Sequence, residues 1–364
     1  MATNKNQHFV PRCYLRAFTK NEANATINLF NLDRKKLIQD VPVKHQCSGS
    51  YFYGQDDKLE EAIQASEAGY ARMLREIRTP GFKLYDGAKG VLRHTWLLQH
   101  LRTEAASMRA VQMAADTNVV LGVDDPTFRL GIRDAVQVAM HAVADQFHVI
   151  DDLKVCLLRN RTVIPFTTSD DPAVATNRWH LEDRRALGAS FGLRSSGLVA
   201  ILPLTPDIAF IAYDGDVYNV QHTNGWTDIR STGDVRALNE HQLLNCFANL
   251  FVHDPEQEDE IKAQLADSAR RRLFPRHRIN YAVLDFEGDT HVRYRVVEPS
   301  EATRKGDAIL HTQTLHPRPT RWPSFLRWRM PGSVFSNGTG VGYIRAEHAS
   351  TSHTSTPFRK LQAR

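Results

Sequence analysis

Between residues 58 and 150 apolar side chains recur at helical spacing, while the segments on either side are short, β-branched or aromatic, and punctuated by turn residues. That order predicts an α+β fold: an N-terminal strand region, a helical middle, a mixed or antiparallel sheet, and a basic β-rich C-terminal extension. The first helix is expected over residues 58–78, where Leu59, Ile63, Tyr70, Met73, Leu74 and Ile77 share one face. Asp56 and Asp57 suit the positive end of its dipole, and Pro80-Gly81 stop it. Further helices are expected over 90–115 and 127–150, and another over 238–251 with Asn239 as its N-cap.

Strand patterns fall at 26–30 and 37–41, joined through Asp33-Arg34-Lys35-Lys36, and again at 153–158, 163–166, 199–203, 208–213 and 217–220. Residues 282–286 and 292–297 read as a hairpin through Glu287-Gly288-Asp289, and Asn337-Gly338 as the turn of another. Residues 349–364, rich in Ser, Thr and His, are expected to hold no fixed structure. A length of 364 residues exceeds the usual single domain, so boundaries are expected near 255 and 348.

Charge is unevenly spread. Residues 1–250 carry 28 Lys+Arg against 28 Asp+Glu, whereas 261–364 carry 18 against 8. A clustered positive surface favours a polyanion or an acidic protein partner, and an unpartnered solvated face is the alternative. Arginine alternates with aromatics at Arg293-Tyr294-Arg295 and through Arg327-Trp328-Arg329, as a nucleic-acid surface requires. The same alternation arises when a strand turns one face to water. No apolar run approaches the roughly 18 residues of a membrane span and no apolar leader opens the chain, so a cytoplasmic protein without a membrane partner is expected. Cys13, Cys47, Cys156 and Cys246 show no metal-ligand spacing and read as free thiols.

Two dense words stand out from this pattern. Gln7-His8-Phe9-Val10-Pro11-Arg12-Cys13-Tyr14-Leu15-Arg16-Ala17-Phe18 opens the chain, and Thr168-Ser169-Asp170-Asp171-Pro172 follows the apolar run Ile164-Pro165-Phe166. They resemble the DUF4238 family of bacterial proteins, whose members open with Q-H-x-V-P-x-x-Y-L-x-x-F and carry T-S-D-x-P in mid-chain. The resemblance covers about residues 7–252 and implies boundaries and candidate residues rather than a reaction.

His8, at the junction of an extended piece and a helix, is a candidate general acid or base, with backbone hydrogen bonding as the plain alternative. Asp170, at a strand end, is a candidate to bind a divalent metal such as Mg2+, to orient His8 or to act as a base, while an Asx turn before Pro172 explains it equally. Tyr14, Ser169, Arg102, Arg327 and Arg329 are candidates to contact substrate. Arg102 and Arg109, with Glu60 and Glu67, can alternatively form an ionic seam between helices. The function these residues favour is a hydrolase of nucleic acid or nucleotides, of the kind that serves as a toxin or defence effector. The alternative is a non-catalytic nucleic-acid- or protein-binding protein, or a homo-oligomer, in which both words are structural.

Overall fold

In the computed structural model, which describes residues 5–20, 25–123, 125–288, 292–298, 308–352 and 356–364, each word contributes a short strand to a sheet, Gln7 and His8 to one and Thr168 and Ser169 to another. The chain opens with β1 (Asn6–His8), α1 (Arg12–Arg16), β2 (Thr26–Asn31), β3 (Lys36–Pro42) and β4 (Ser48–Ser50). The expected β2–β3 hairpin is present, with Phe30 opposite Leu37. Four helices follow: α2 (Asp57–Ile77), α3 (Asp86–Leu101), α4 (Glu104–Leu121) and α5 (Ile132–Gln146). The start of α2 is set by Asp56, whose carboxylate accepts from the N–H groups of Lys58 and Leu59.

One helix was expected over 90–115, and the structure corrects it to two. The chain breaks at Arg102 and Thr103 because the Thr103 hydroxyl caps α4 by accepting from Ala106 N and donates to Asp171 Oδ1 at 2.8 Å. That partner lies far along the chain, so no local pattern announces the break.

Next come β5 (Lys154–Asn160), β6 (Thr168–Ser169), β7 (Val174–Thr176), α6 (Arg178–Glu182), β8 (Val199–Thr205), β9 (Ile208–Tyr213), β10 (Tyr218–Asn219), β11 (Trp226–Ile229), α7 (Thr232–Asn245), β12 (Asn249–Val252) and α8 (Glu258–Ser268). Strands β11-β5-β9-β8-β7 form one mixed sheet, parallel only between β11 and β5. Its period-two alternation divides the core. Val155 and Leu157 pack into one apolar cluster with the helices, while Cys156 and Leu158 pack into another on the opposite face. A second, antiparallel sheet runs β3-β2-β12-β6. The strand expected at 163–166 is absent because side chains take its carbonyls: Asn160 Nδ2 donates to Ile164 O and Asn239 Nδ2 to Pro165 O.

The C-terminal residues give β13 (His277–Glu287), β14 (Val292–Val297), β15 (Ala308–Thr314), β16 (Arg327–Trp328), β17 (Ser333–Ser336), β18 (Tyr343–Ile344), α9 (Ala346–Thr351) and β19 (Arg359–Gln362). The β13–β14 hairpin stands as expected, although its turn at Asp289 lies outside the described residues. The tail departs from expectation: β19 pairs with β17, and Ala363 O accepts from Trp179 Nε1 at 2.7 Å. Leu326, Val334 and Ala363 share the buried cluster of Val199 and Tyr213, so these residues are packed into the core.

The expected helix over 238–251 also shifts: it starts earlier, at Thr232, and Asp170 holds the turn at which it stops. Helix α7 ends at Asn245, and the chain turns into β12 where Asp170 Oδ1 accepts from Phe247 N at 2.8 Å and Oδ2 from Ala248 N and Asn249 N at 2.7 and 2.8 Å. Asn239 therefore sits inside α7, where its side chain accepts from Thr167 N rather than capping the helix. Asp170→Ala would strip the acceptor from three N–H groups, and unmade bonds of this kind cost about 1–3 kcal/mol each. We expect urea unfolding of Asp170→Ala to show a loss on the order of 3 kcal/mol or more, and Asp170→Asn, which keeps one oxygen, a smaller one. An unchanged midpoint in Asp170→Ala would contradict this role.

Candidate functional site

The first word is held by its own polar side chains. Gln7 accepts from Tyr53 N at 2.7 Å and donates to Gly54 O at 3.0 Å, fixing the loop after β4. His8 donates Nδ1–H to Gln46 O at 3.1 Å, which leaves Nε2 as its lone-pair nitrogen. Burial, opposed by that bond and aided by Arg12 and Arg102, lowers its pKa, so it is neutral at pH 7. His8 lines a groove of about 450 Å³ together with Arg12, Lys44, His45, Glu60 and Glu67. Tyr14, Leu15 and Phe18 point into the core at helical spacing. The Tyr14 hydroxyl donates to Pro203 O at 2.7 Å and meets Thr168 Oγ1 at 2.6 Å, and it thereby ties the first word to the second.

The second word is gripped from α7. Asn239, Gln242 and Asn245, spaced by three, lie along one side of the helix. Gln242 accepts from Ser169 Oγ at 3.0 Å and donates to Pro172 O at 2.8 Å, while Asn245 donates to Asp171 O. Ser169 is thus fully buried in this grip, and Asp170 is committed to the turn into β12. Burial raises the Asp170 pKa while its three N–H partners oppose the rise. Among the described residues no group of three or more His, Cys, Asp and Glu side chains is placed to hold a metal ion. With both Asp170 oxygens occupied by main-chain N–H groups, the residues here do not fit the divalent metal expected from sequence.

The groove about His8 includes neither Asp170 nor Ser169, and no hydrogen bond or ion pair among the described residues joins His8 to Asp170. Arg102 lies near the first word, 1% exposed, and donates to Glu67 Oε1 at 3.0 Å and to Gln99 Oε1 at 3.1 Å. Of the expected ionic seam this pair is present, while Arg109 turns elsewhere.

Arg109 pairs with Asp171 at 2.7 Å, a carboxylate that is wholly buried and also accepts from Thr103. Beside this pair lies a cavity of about 210 Å³ lined by His100, Arg109, His241, Asn245, Arg276 and His316 among others. Its walls come from α3, α4 and α7, from β7 and residues 191–198, and from the residues around β13 and β15. Arg276 crosses between them, donating to Asn245 Oδ1 at 2.8 Å and to the carbonyls of Leu244 and Asn245. Burial and the like charge of Arg109 lower its pKa to about 10, so it stays charged at neutral pH.

The histidines are the reverse. His100 stacks on Trp96 with ring centres 4.8 Å apart and donates Nδ1–H to Ala173 O at 2.9 Å, and burial lowers its pKa. His316 stacks on Phe191 and accepts from Phe191 N through Nε2, and burial followed by the charges of His180 and Arg276 pushes it down to about 3. His241 packs against Trp322, and burial pushes it down to about 4. Its Nε2 has no partner among the described residues. Sequence reading missed His241, His316 and Arg276 as a group, because they come from separate elements and share no spacing.

Arg327 and Arg329 flank Trp328 with both arginines exposed, the alternation of a strand with one wet face. Arg329 donates to Gly215 O at 2.8 Å, while Trp328 receives the guanidiniums of Arg178 and Arg364 at 4.7 and 4.3 Å from its ring centre. All four cysteines are free thiols, and no helix among the described residues is long and apolar enough to cross a membrane.

His241 gives a pH signature. It stays neutral in the folded chain down to about pH 4, whereas its unperturbed value is 6.5. As pH falls from 6.5 to 4 the unfolded chain therefore binds the proton and the folded chain does not, so His241 subtracts stability over that window and nothing above it. In His241→Leu the urea midpoint should fall less between pH 7 and pH 4.5 than in the wild type. Parallel curves would mean that the ring is solvated in solution.

A family model described as "Protein of unknown function (DUF4238)" matches residues 6–256, in agreement with the extent of the motif resemblance. No match was found among curated proteins or solved structures. The match spans more than half of the chain and takes in both words that the α7 grip and the Tyr14 hydroxyl join, so the chain belongs to the DUF4238 family.

Proposed function

We propose that the protein is a hydrolase of small phosphate esters of the nucleotide class, working in the cavity between Arg109 and Arg276. One observation carries the reading: two guanidiniums converge on a small cavity beside which Asp171 is, among the described residues, the one carboxylate that pairs with either, and the histidines beside them are held uncharged. Two like charges drawn partly out of water repel each other, and a phosphate relieves that repulsion through charge-assisted bonds. The volume, about 210 Å³, is below the roughly 300–1,000 Å³ of pockets that enclose drug-sized ligands, and it favours a phosphate and the sugar it esterifies over a polymer.

In this reading His100 is the general base, since Nδ1–H is spent on Ala173 O and Nε2 carries the lone pair. It takes a proton from water, the water oxygen attacks phosphorus, the ester P–O bond breaks, and the leaving oxygen is protonated from solvent. Arg109 and Arg276 stabilise the charge on the phosphoryl oxygens. His8 and Asp170, expected from sequence at the chemistry, are in this reading architectural.

The test is calorimetric titration with inorganic phosphate and AMP, together with phosphate release from AMP. Arg276→Gln should weaken phosphate binding about tenfold or more, and Arg276→Lys should retain most of it. His100→Gln, which can still donate to Ala173 O, should bind within about twofold of wild type and release no phosphate. Binding without turnover in the wild type would overturn the hydrolase and leave an anion-binding protein, and failure to bind either ligand would overturn the whole reading.

A further inference from the structure

Behind the first word, α2, α3 and α5 leave a second cavity of about 390 Å³, walled by Ile63, Tyr70, Val91, Leu98, Met140 and Phe147. We propose that it binds an uncharged, mostly apolar small molecule. It shares no lining residue with the Arg109–Arg276 cavity, so this inference stands apart from the phosphate-ester reading.

The volume lies within the roughly 300–1,000 Å³ of small-molecule pockets, and apolar walls with a few polar groups are their usual construction. Charge decides the class of occupant. The carboxylate and guanidinium in the lining are Glu67 and Arg102, paired at 3.0 Å with Arg102 1% exposed, and His94 packs its ring on Phe147. An anion here meets Glu67 and a cation meets Arg102, each at a desolvation cost that a neutral molecule does not incur.

One further feature points to an occupant. Gly69 lies in the interior of α2 on the cavity wall, and a Cβ built there would meet nothing within 4 Å. A mid-helix glycine costs about 1 kcal/mol relative to alanine, and no turn, close approach or positive φ requires one here. The side chain missing at Gly69 leaves the space open at the expense of the helix.

The experiment uses the full chain and N-phenyl-1-naphthylamine, an uncharged aromatic amine whose fluorescence rises in apolar surroundings. We expect saturable enhancement that is insensitive to salt and is not displaced by phosphate. Gly69→Phe places a ring in open space and should weaken the probe about tenfold or more without lowering the melting temperature. Arg276→Gln should leave it unchanged, which separates this cavity from the phosphate site. Non-saturable binding, displacement by phosphate, or equal affinity in Gly69→Phe with its fold intact would overturn the proposal.

Discussion

A single carboxylate, Asp170, collecting three main-chain N–H groups at the end of α7 is the constraint on which the rest of this structure depends. Burying a carboxylate is costly, and the cost is offset where two or three N–H donors are aimed at it. The turn it clamps sends β12 into the second sheet between β2 and β6, and Asn249 O in return accepts from Asp170 N at 3.0 Å. Gln242 and Asn245 then fix the carbonyls of Pro172 and Asp171, so the Asp171 side chain is left in one position for Thr103 and Arg109 to find. The T-S-D word is accounted for by this architecture before any chemistry is asked of it, and the same architecture places Asp171 beside a cavity.

The parts legible in the sequence are those whose causes are local. Helix α2 carries its apolar face, its Asp56 cap and its stop within one stretch, and the β2–β3 and β13–β14 hairpins are set by alternation and turn residues. The parts that were not legible have distant causes. Thr103 breaks a periodic helix because its hydroxyl reaches Asp171, 68 positions away, and α7 stops at Asn245 because Asp170, 77 positions before Phe247, holds the next turn. The tail reads as unstructured because strand addition of β19 to β17 is a main-chain event that a Ser- and Thr-rich composition does not forecast. At the candidate site, Tyr14 and Arg102 were readable as unusual residues in a word and on a helix, whereas His100, His241, Arg276 and His316 meet only through the fold.

The basic bias of the last third of the chain has a structural use that the charge count hides. Arg272 donates to the carbonyls of Cys246 and Phe247, and Arg276 to those of Leu244 and Asn245, where the C-terminal end of α7 carries negative partial charge. Arg345, 2% exposed, spends its guanidinium on Asp152 and on the carbonyls of Val149 and Leu193. Arg293 and Arg295 share Asp285. Positive charge used in this way fastens one part of the chain to another, and the field left for a polyanion is smaller than the sequence balance suggests.

Arg102 and Arg109 show how one local break sorts charge into two environments. Seven residues apart, they would lie on the same side of a continuous helix. The break at Thr103 leaves Arg102 at the end of α3 and places Arg109 in α4, so the first meets Glu67 of α2 and the second Asp171 of the second word. Each has one carboxylate, and by that count both surroundings would be neutral. The difference is Arg276, brought in from outside the residues that the family model matches, whose guanidinium pairs with no carboxylate among the described residues. The neutral pair closes an apolar cavity suited to an uncharged molecule, while the unbalanced one gives a cavity that favours an anion. The charge of each cavity thus follows from which carboxylate its arginine reaches and from whether a further arginine joins it.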